Sequence, residues 1–449
     1  MPRTKDQIQL SDHFTYRRLL RFTLPSIATM IFTSIYGIVD GFFVSNFAGK
    51  TAFAAVNFIL PVIMILSTVG FMMGTGGTAI VSRTFGEGKP KKAIEYFSLF
   101  VYTTLIAGVL FMLLGMILIP FAASALGAKG KMLEDAVLYG RISLISLPFY
   151  MLQLLFQSFF VTAEKPRLGL VTSVSAGMTN IILDAVLVIS LPMEYKLAGA
   201  AIATALGEFV GGGIPLIYFA RKNSSTLRLG RTRFCGRILG EACVNGSSEF
   251  MSNVSMNIVA MLYNLQLLKY AGENGIAAYG VIMYVSLIFA SSFIGYSVGV
   301  SPVIGYHYGA DNRGELHNLL RRSLRIIICF ALSMFALAEL TAPLIARIFV
   351  GYDPELSAMT VSAFRIYAFA YLLMGFSIFG SGFFTSLSDG VTSALISFLR
   401  TLVFEGGSVL LLPLVLGVNG IWSAIVVAET MAVLLTFLFM KIKQKRFGY

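Results

Sequence analysis

Residues 24–49, LPSIATMIFTSIYGIVDGFFVSNFAG, hold a proline near their start and a single acid, Asp40. Residues 22–39 carry no charged side chain. A helix needs about 20 apolar residues to cross the hydrocarbon core of a bilayer, so this stretch is predicted to span a membrane. Charge in that region is costly, and acids inside membrane helices usually face a water-filled interior and take part in ion or proton pathways. Asp40 is therefore the first candidate functional residue.

The composition of the whole chain agrees with a membrane protein. Of its 449 residues 57% are hydrophobic and only 12% are charged, which is far too apolar for a soluble globular protein. The net charge of +12 could suggest a nucleic-acid partner. However, the lysines and arginines lie in short loops between apolar stretches, and membrane topology explains that distribution better. We expect no nucleic-acid partner.

Apolar runs separated by charged or Gly/Pro loops predict twelve spans. They are residues 19–46, 53–82, 94–122, 136–163, 168–192, 198–220, 239–268, 276–306, 319–350, 358–387, 391–417 and 419–440. With a cytoplasmic N-terminus, 25 of the 34 lysines and arginines fall in inner segments and six in outer loops. This asymmetry predicts a multi-pass protein of the cell (plasma or inner) membrane with both termini cytoplasmic. We expect no removed signal peptide.

The most basic loop, residues 221–237, separates two halves of six spans each. It predicts an N-terminal lobe at 1–220, a cytoplasmic linker at 221–238 and a C-terminal lobe at 239–449. A shift of 223 residues places Gly76 on Gly299 and Gly86 on Gly309, which indicates an internal duplication. The predicted fold is an all-α polytopic membrane protein with two pseudo-symmetric six-helix bundles around a central cleft, a geometry suited to alternating access.

The duplication also separates shared features from unshared ones. Three polar residues of the first half meet uncharged partners in the second: Asp40 aligns with Tyr263, Asn180 with Phe404 and Asp184 with Ser408. By contrast, Glu208 aligns with Glu429 at a shift of 221 and serves as a marker of the repeat. A feature present in only one half is not needed to pack the common fold, so we assign the unshared polar set to function.

Depth along the helices groups the same residues. At about 1.5 Å per residue, Asp40, Asp184 and Thr204 all lie roughly 10 Å below the outer ends of their spans. Asn180 and Asp184 are spaced i, i+4 and so share one side of their helix. Two carboxylates, an amide and a hydroxyl at one level could coordinate Na⁺ or share protons. The alternative is an interhelical hydrogen-bond cluster without an ion.

Several motifs resemble the multidrug and toxic compound extrusion (MATE) family over nearly the whole chain. They are DGFFVSNFAGKTAFAAVN at 40–57, GTGG at 74–77, FGEGKPKKA at 85–93, NIILD at 180–184, GAAIATALGE at 199–208 and GVSPVIGYHYGADNRGEL at 299–316. The resemblance implies a twelve-helix, two-lobe antiporter that exports amphipathic, often cationic, drugs in exchange for H⁺ or Na⁺. By motif match it implies a coupling set of Asp40, Asn180, Asp184 and Thr204. One branch of the family has an acid early in helix 10, which residues 372–382 lack here.

Other polar residues inside the spans are candidates for the substrate cavity. Tyr36 lies one turn before Asp40, and Gln153 and Gln157 form an i, i+4 stripe that either lines the cavity or makes ordinary interhelical hydrogen bonds. Glu249 is either a cavity acid or a capping acid near the interface. Pro25 interrupts the main-chain hydrogen bonds of the first span and is the predicted hinge.

Five more intramembrane charges lie in the second half: Glu339, Arg365, Arg400, Glu405 and Glu429. We expect them to pair with one another. If the two arginines instead faced the cleft without carboxylate partners, they would favour a substrate with an anionic head group. The protein would then be a lipid-linked oligosaccharide flippase of the same superfamily.

No catalytic or metal-binding spacing of side chains stands out, and a membrane-embedded transferase would need such clusters. We therefore expect a transporter that is not an enzyme and has no cofactor. Its partners are predicted to be small amphipathic or cationic substrates and the lipid bilayer, and the chain is predicted to be a monomer.

Overall fold

A computed structural model of the chain describes residues 8–125 and 127–449, without the side chains of residues 45, 46, 50 and 53. Arg3 and Lys5, two of the basic residues assigned above to the inner side, lie outside these ranges. Within them the regular elements are all helical. In chain order they are α1 (Tyr16–Phe43), α2 (Lys50–Gly86), α3 (Pro90–Ala125), α4 (Gly130–Thr162), α5 (Pro166–Ser190), α6 (Lys196–Ala220), α7 (Gly236–Gly309), α8 (Arg313–Val350), α9 (Pro354–Ala368), α10 (Tyr371–Ser386), α11 (Gly390–Phe398), α12 (Gly406–Leu411), α13 (Pro413–Leu416) and α14 (Val418–Phe447).

The longest helix, α7, contains two spans. Its 74 residues would measure about 110 Å if straight, against about 30 Å for a bilayer core. Gly272 breaks the helical geometry with φ 63° and ψ −154°, a conformation that glycine adopts readily. The rings of Tyr263 and Tyr279, on either side of it, stack with centroids 4.6 Å apart, whereas a continuous helix would separate them by about 24 Å. The chain therefore reverses at Gly272 into two arms, 236–271 and 273–309.

Two further spans are interrupted. α9 and α10 meet at an angle of 47° and together form one bent span. The next span runs through α11, a π-helical stretch at Leu399–Glu405, α12 and α13. With α7 counted as two arms, the twelve predicted spans and the all-α polytopic fold are confirmed in the part of the chain that the structure describes.

We call the end of the bundle at which α1 begins and α2 ends the basic end, because most of the basic loops lie there. One apolar core comprises only residues of the first half, between Val44 and Ala201, and packs α2, α4 and α6 away from the basic end. The core of the second half, in contrast, includes Leu19, Phe22 and Ile27 from the first turns of α1. The two halves therefore share a core near the basic end.

Backbone contacts close the halves against each other at the basic end. A Cβ atom on Gly246 would lie 1.9 Å from the carbonyl oxygen of Met72, so only glycine allows this approach of α7 to α2. Arg83 of α2 forms an ion pair with Glu241 of α7 (Nη2–Oε1 3.0 Å). The helices of the two halves are therefore closely packed in the part of the bundle toward the basic end.

The segment before α1 also connects the two halves at the basic end. The backbone N–H of Leu10 donates to Glu164 Oε1 in the α4–α5 loop (2.9 Å), and that of Phe14 donates to Glu315 Oε1 at the start of α8 (2.9 Å). The loop between α6 and α7 packs along α3 and α6, where the N–H of Gly230 donates to Ser98 Oγ (3.0 Å). The lobe boundaries at 220 and 239 stay a prediction.

Candidate functional site

Asp40 lies in the last turn of α1, where the helix begins to widen. The backbone N–H of Val44 bonds both the Asp40 and the Gly41 carbonyl oxygens, and a π-helical stretch, Val44–Ala48, follows. The Asp40 side chain is partly buried and points into the first half, toward α5 and α6. The end of α1 thus delivers a carboxylate to the interior of this half.

Three helices bring the predicted polar set together. Thr204 Oγ of α6 lies 3.2 Å from Asp40 Oδ1 of α1, and Asn180 Nδ2 of α5 donates to the same hydroxyl oxygen at 3.3 Å. The Thr204 hydroxyl also lies 3.1 Å from the carbonyl oxygen of Ala200, which competes for its single proton. Residues from sequence positions 40, 180 and 204 therefore form one hydrogen-bonded cluster.

Asp184 completes this cluster and leaves it short of positive charge. Its side chain is 0% exposed, lies one turn after Asn180 and interacts electrostatically with Asp40. Both carboxylate oxygens of Asp184 and Oδ1 of Asn180 have no hydrogen-bond partner within residues 8–125 and 127–449. Buried polar oxygens without partners are costly, and two adjacent carboxylates cannot both stay ionised without compensation. The arrangement therefore suits a bound proton or a small cation.

The donor set is compatible with Na⁺ as well as with H⁺. Two carboxylates, an amide oxygen and a hydroxyl are all hard oxygen ligands of the kind that group I and II cations prefer. In the described ranges no three His, Cys, Asp or Glu side chains group as a metal site, so amide and hydroxyl oxygens would have to complete the coordination.

Two residues near the cluster were not singled out by the sequence analysis. Glu208 lies one turn after Thr204 on α6 and interacts with Asp40, Ser146 and Tyr36; its Oε2 atom has no hydrogen-bond partner in the part of the chain described. Because Glu208 is shared by both repeats, it was assigned to the common scaffold. An acid inside an apolar span, four residues from Thr204, is the signal that could have found it.

Tyr139 of α4 is the second such residue. It is fully buried in the first half, where it interacts with Asp40, Asp184 and Thr204. Nothing in its local sequence distinguishes it from a packing tyrosine, so only the position of α4 beside α6 identifies it.

The predicted cavity residues fall into three places. Tyr36 interacts with Gln153 and Glu208 beside the polar cluster, and Gln153 packs so closely on α6 that a Cβ atom at Gly211 would lie 2.1 Å from its Oε1. Gln157 lies toward the basic end, in a narrow recess with Ser26, Thr29 and Val298.

Glu249 lies apart from the other predicted cavity residues. It is partly buried on the first arm of α7, in the other half. The structure therefore joins Tyr36 and Gln153 to the cluster and separates Gln157 and Glu249 from it.

The predicted hinge lies where α1 contacts the second half. α1 runs through Pro25 as a continuous helix, and Pro25 cannot donate the hydrogen bond that the carbonyl of Arg21 would otherwise accept. Further along, Ser34 Oγ lies 2.5 Å from Ser291 Oγ on the second arm of α7. A single continuous helix, α1, therefore carries Pro25, the contact with the second half and Asp40.

Four of the five charges of the second half pair with one another, as expected from the sequence. Arg365 lies 3.6 Å from Glu339 (Nε–Oε2), and Arg400 lies 2.6 Å from Glu429 (Nη2–Oε1). The two arginines are thus occupied by carboxylates, which leaves Glu405 as the remaining acid of the group.

Twelve spans in two duplicated groups of six, with a polar site buried in the first group, define a two-lobe membrane transporter fold. The model of the MatE family matches residues 25–186 and 250–405, which is most of the chain. The chain belongs to the MatE family.

Known proteins extend this similarity over the full length. The chain is 25% identical over 440 residues to the multidrug export protein MepA of Staphylococcus saprophyticus, covering 96% of this chain and 94% of the relative. A crystal structure of a MATE protein in complex with MaL6 superposes with a TM-score of 0.93 at 23% identity and 99% coverage of both chains. An outward-facing multidrug resistance MATE family transporter of the MOP superfamily gives 0.92 at 22% identity, also with 99% of both chains covered. At these identities the two structures establish the fold alone.

Proposed function

We propose that this protein is a multidrug efflux transporter of the plasma membrane. It exports small amphipathic or cationic organic compounds in exchange for H⁺ or Na⁺, by alternating access. Membership of the MatE family and the similarity to MepA support this class of activity. The observation that carries the coupling assignment is the group of Asp40, Asn180, Asp184 and Thr204, in which the buried Asp184 carboxylate has no hydrogen-bond partner among the described residues.

The coupling cation acts through the end of α1. Binding of a cation between Asp40 and Asp184 removes the repulsion between two carboxylates, and this changes transport only if one conformation binds the cation better than the other. α1 carries Asp40 at one end and contacts Ser291 of the second half through Ser34. A change at Asp40 therefore reaches the contact between the halves through a helix that lacks one hydrogen bond at Pro25.

The moving units in this proposal are the two lobes, residues 1–220 and 239–449, joined by the linker 221–238. In the present conformation they are closed at the basic end, where Arg83 pairs with Glu241 and Gly246 abuts Met72. Opening the basic end toward the cytoplasm has to break these contacts. We place both termini in the cytoplasm and treat the monomer as the functional unit.

The substrate cavity lies between the lobes in this proposal. Tyr36 and Gln153 lie next to the cation site, and Tyr36 interacts with Asp40. A bound cation therefore changes the surroundings of two residues that line the cavity. Gln157 and Glu249 extend the candidate lining toward the basic end and the second lobe. A partly buried acid such as Glu249, for which no ion pair is found within residues 8–125 and 127–449, suits a cationic substrate.

Efflux from proteoliposomes tests the proposal. Purified protein is reconstituted with ethidium, and Na⁺ and pH gradients are imposed separately, so that the coupling ion is identified in the same experiment. Asp40→Asn and Asp184→Asn are expected to abolish cation-dependent efflux while the protein still inserts. Glu339→Gln, which removes an acid paired with Arg365 in the other lobe, is the matched control and is expected to retain efflux. Retained efflux in both aspartate variants contradicts the assignment.

The flippase alternative requires Arg365 and Arg400 to face the cleft as unpaired cations. Both lie within ion-pair distance of a glutamate, at 3.6 and 2.6 Å, so no observation favours an anionic head group as the substrate.

A further inference from the structure

A cavity of about 510 Å³ opens at the basic end of the second half. Its wall is formed by the start of the first arm of α7, the loop that leads into α11 and the end of α14. At these points the predicted spans 239–268, 391–417 and 419–440 meet the basic end. The cavity therefore lies at the depth where lipid head groups meet water. Its volume is in the range of sites that bind small ligands.

The amide of Asn245 forms part of this wall and has an unused donor. Asn245 is 2% exposed, and its Oδ1 accepts a hydrogen bond from the backbone N–H of Gly390 at 3.2 Å, which fixes the orientation of the amide. Its Nδ2 atom and the hydroxyl of Ser388, also in the wall, have no hydrogen-bond partner in the part of the chain that the structure describes. Buried polar groups are normally paired, so both call for a partner.

The start of α11 adds backbone donors to the same wall. α11 begins at Gly390, and the side chain of the preceding residue, Asp389, makes no capping hydrogen bond. The Asp389 carboxylate instead accepts hydrogen bonds from Lys443 Nζ (2.5 Å) and from the Thr392 hydroxyl (2.8 Å). The first N–H groups of a helix have no partner within the helix and carry partial positive charge. Together with the unpaired amide of the wall, this N-terminus suits an anion.

The charges at the wall leave one cation over. Two carboxylates line the cavity, and both are paired: Asp389 with Lys443, as described above, and Glu241 with a residue of α2. Arg446, three residues after Lys443 on α14, also lines the cavity and makes no ion pair with any residue that the structure describes. Guanidinium groups match the geometry of phosphate oxygens. A phosphate group with a single negative charge would therefore balance the charge of the wall.

Apolar side chains at the cavity distinguish a lipid from a free phosphate. Val244 and Val391 line it and are 47% and 60% exposed. The acyl chain next to a lipid head group would cover them, whereas a soluble phosphate would leave them in water. We propose that this cavity binds the phosphate group of an anionic phospholipid, which is held by Arg446, the amide of Asn245 and the N-terminus of α11. The proposal involves neither the cation site of the first half nor the exported compound, so it does not depend on the proposed function.

Native mass spectrometry of the purified full-length protein in detergent tests this proposal. Phosphatidylglycerol, phosphatidylcholine and soluble glycerol phosphate are titrated separately, and the dissociation constant of the first bound molecule is measured. Arg446→Gln is expected to weaken the binding of phosphatidylglycerol about tenfold, because it removes a charge-assisted hydrogen bond. Lys445→Gln removes the same charge from the neighbouring exposed position of α14, which does not line the cavity, and is the matched control. We expect the control to bind phosphatidylglycerol as the wild type does.

Asn245→Asp is the second variant. It keeps the oxygen that accepts from Gly390 and replaces the unpaired donor by a carboxylate oxygen, so it is also expected to weaken the binding of phosphatidylglycerol by about tenfold or more. Phosphatidylcholine, whose choline cation would restore the excess charge, is expected to bind more weakly and to be insensitive to both variants. If Asn245→Asp does not fold, which the elution profile reports, Arg446→Gln and its control decide.

Wild-type affinity for phosphatidylglycerol in either correctly folded variant overturns the proposal. A loss in Lys445→Gln as large as that in Arg446→Gln also overturns it, because the attraction would then belong to the whole basic surface. If glycerol phosphate binds as tightly as phosphatidylglycerol and shows the same losses, the assignment to a lipid is overturned and the ligand is a soluble phosphate.

Discussion

Replacement of Thr204 by valine keeps the shape of the side chain and removes the hydroxyl that joins Asp40 to Asn180. The hydroxyl lies 3.2 Å from Asp40 Oδ1, which is at the long end for a hydrogen bond to a charged group. We therefore take the lower part of the usual range for such a bond, about 1.5 kcal/mol, which corresponds to about a tenfold change in an equilibrium constant.

The direction of the change depends on the coupling ion. If Na⁺ occupies the cluster, the hydroxyl oxygen is one of its ligands, and Thr204→Val is expected to raise the Na⁺ concentration for half-maximal efflux about tenfold. If H⁺ occupies it, loss of a hydrogen bond to the carboxylate favours the protonated acid, and half-maximal efflux moves to an H⁺ concentration about tenfold lower. One substitution therefore tests the site and identifies the ion.

The assay is drug efflux from proteoliposomes over a series of Na⁺ concentrations and, separately, of pH values. Thr179→Val is the matched control: the Thr179 hydroxyl lies next to Asn180 in sequence and donates to the carbonyl oxygen of Ser175 at 2.8 Å. We expect the control to keep the wild-type cation dependence. An unchanged dependence on both ions in Thr204→Val would refute the cluster as the cation site.

Two further changes test the conformational part of the account. Pro25→Ala restores one main-chain hydrogen bond in α1, worth about 1 kcal/mol, and is expected to slow efflux several-fold while cation binding to the purified protein stays the same; equal losses of both would contradict a hinge. Arg83→Gln removes a partly exposed ion pair with Glu241 that contributes at most about 1 kcal/mol to closure of the basic end. Cys243, whose Sγ lies 3.8 Å from the sulfur of Met73, serves as the reporter of this opening. The other two cysteines are replaced by serine. We expect Cys243 to react with a thiol reagent up to about fivefold faster with Arg83→Gln than with Arg83 in place. An unchanged labelling rate would contradict the role of this pair.

Membrane spans are predictable from sequence because a bilayer imposes a length and a composition on each of them. The polar cluster was predictable for a related reason. The rise per residue gives the depth of a side chain, and i, i+4 spacing gives its side of the helix. These two quantities were enough to group Asp40, Asn180, Asp184 and Thr204.

Depth and spacing do not give the rotation of one helix against its neighbours. The contact of Tyr139 with the cluster and the separation of Gln157 and Glu249 from it depend on that rotation, so neither could be predicted. Comparison of the repeats misled us at Glu208, since a residue can be shared by both halves and still face the functional site. The hairpin at Gly272 was not foreseen in its details, because the arms meet with almost no loop between them.

The central claim is that the cluster around Asp40 and Asp184 binds the coupling cation, and a direct binding measurement tests it most simply. Purified wild-type protein and the Asp184→Asn variant are compared for the number of Na⁺ ions and protons that each molecule takes up at equilibrium. The account predicts that the variant takes up one cation fewer than the wild type, of the same kind that drives efflux. Equal uptake of both ions by a correctly folded Asp184→Asn protein would contradict it.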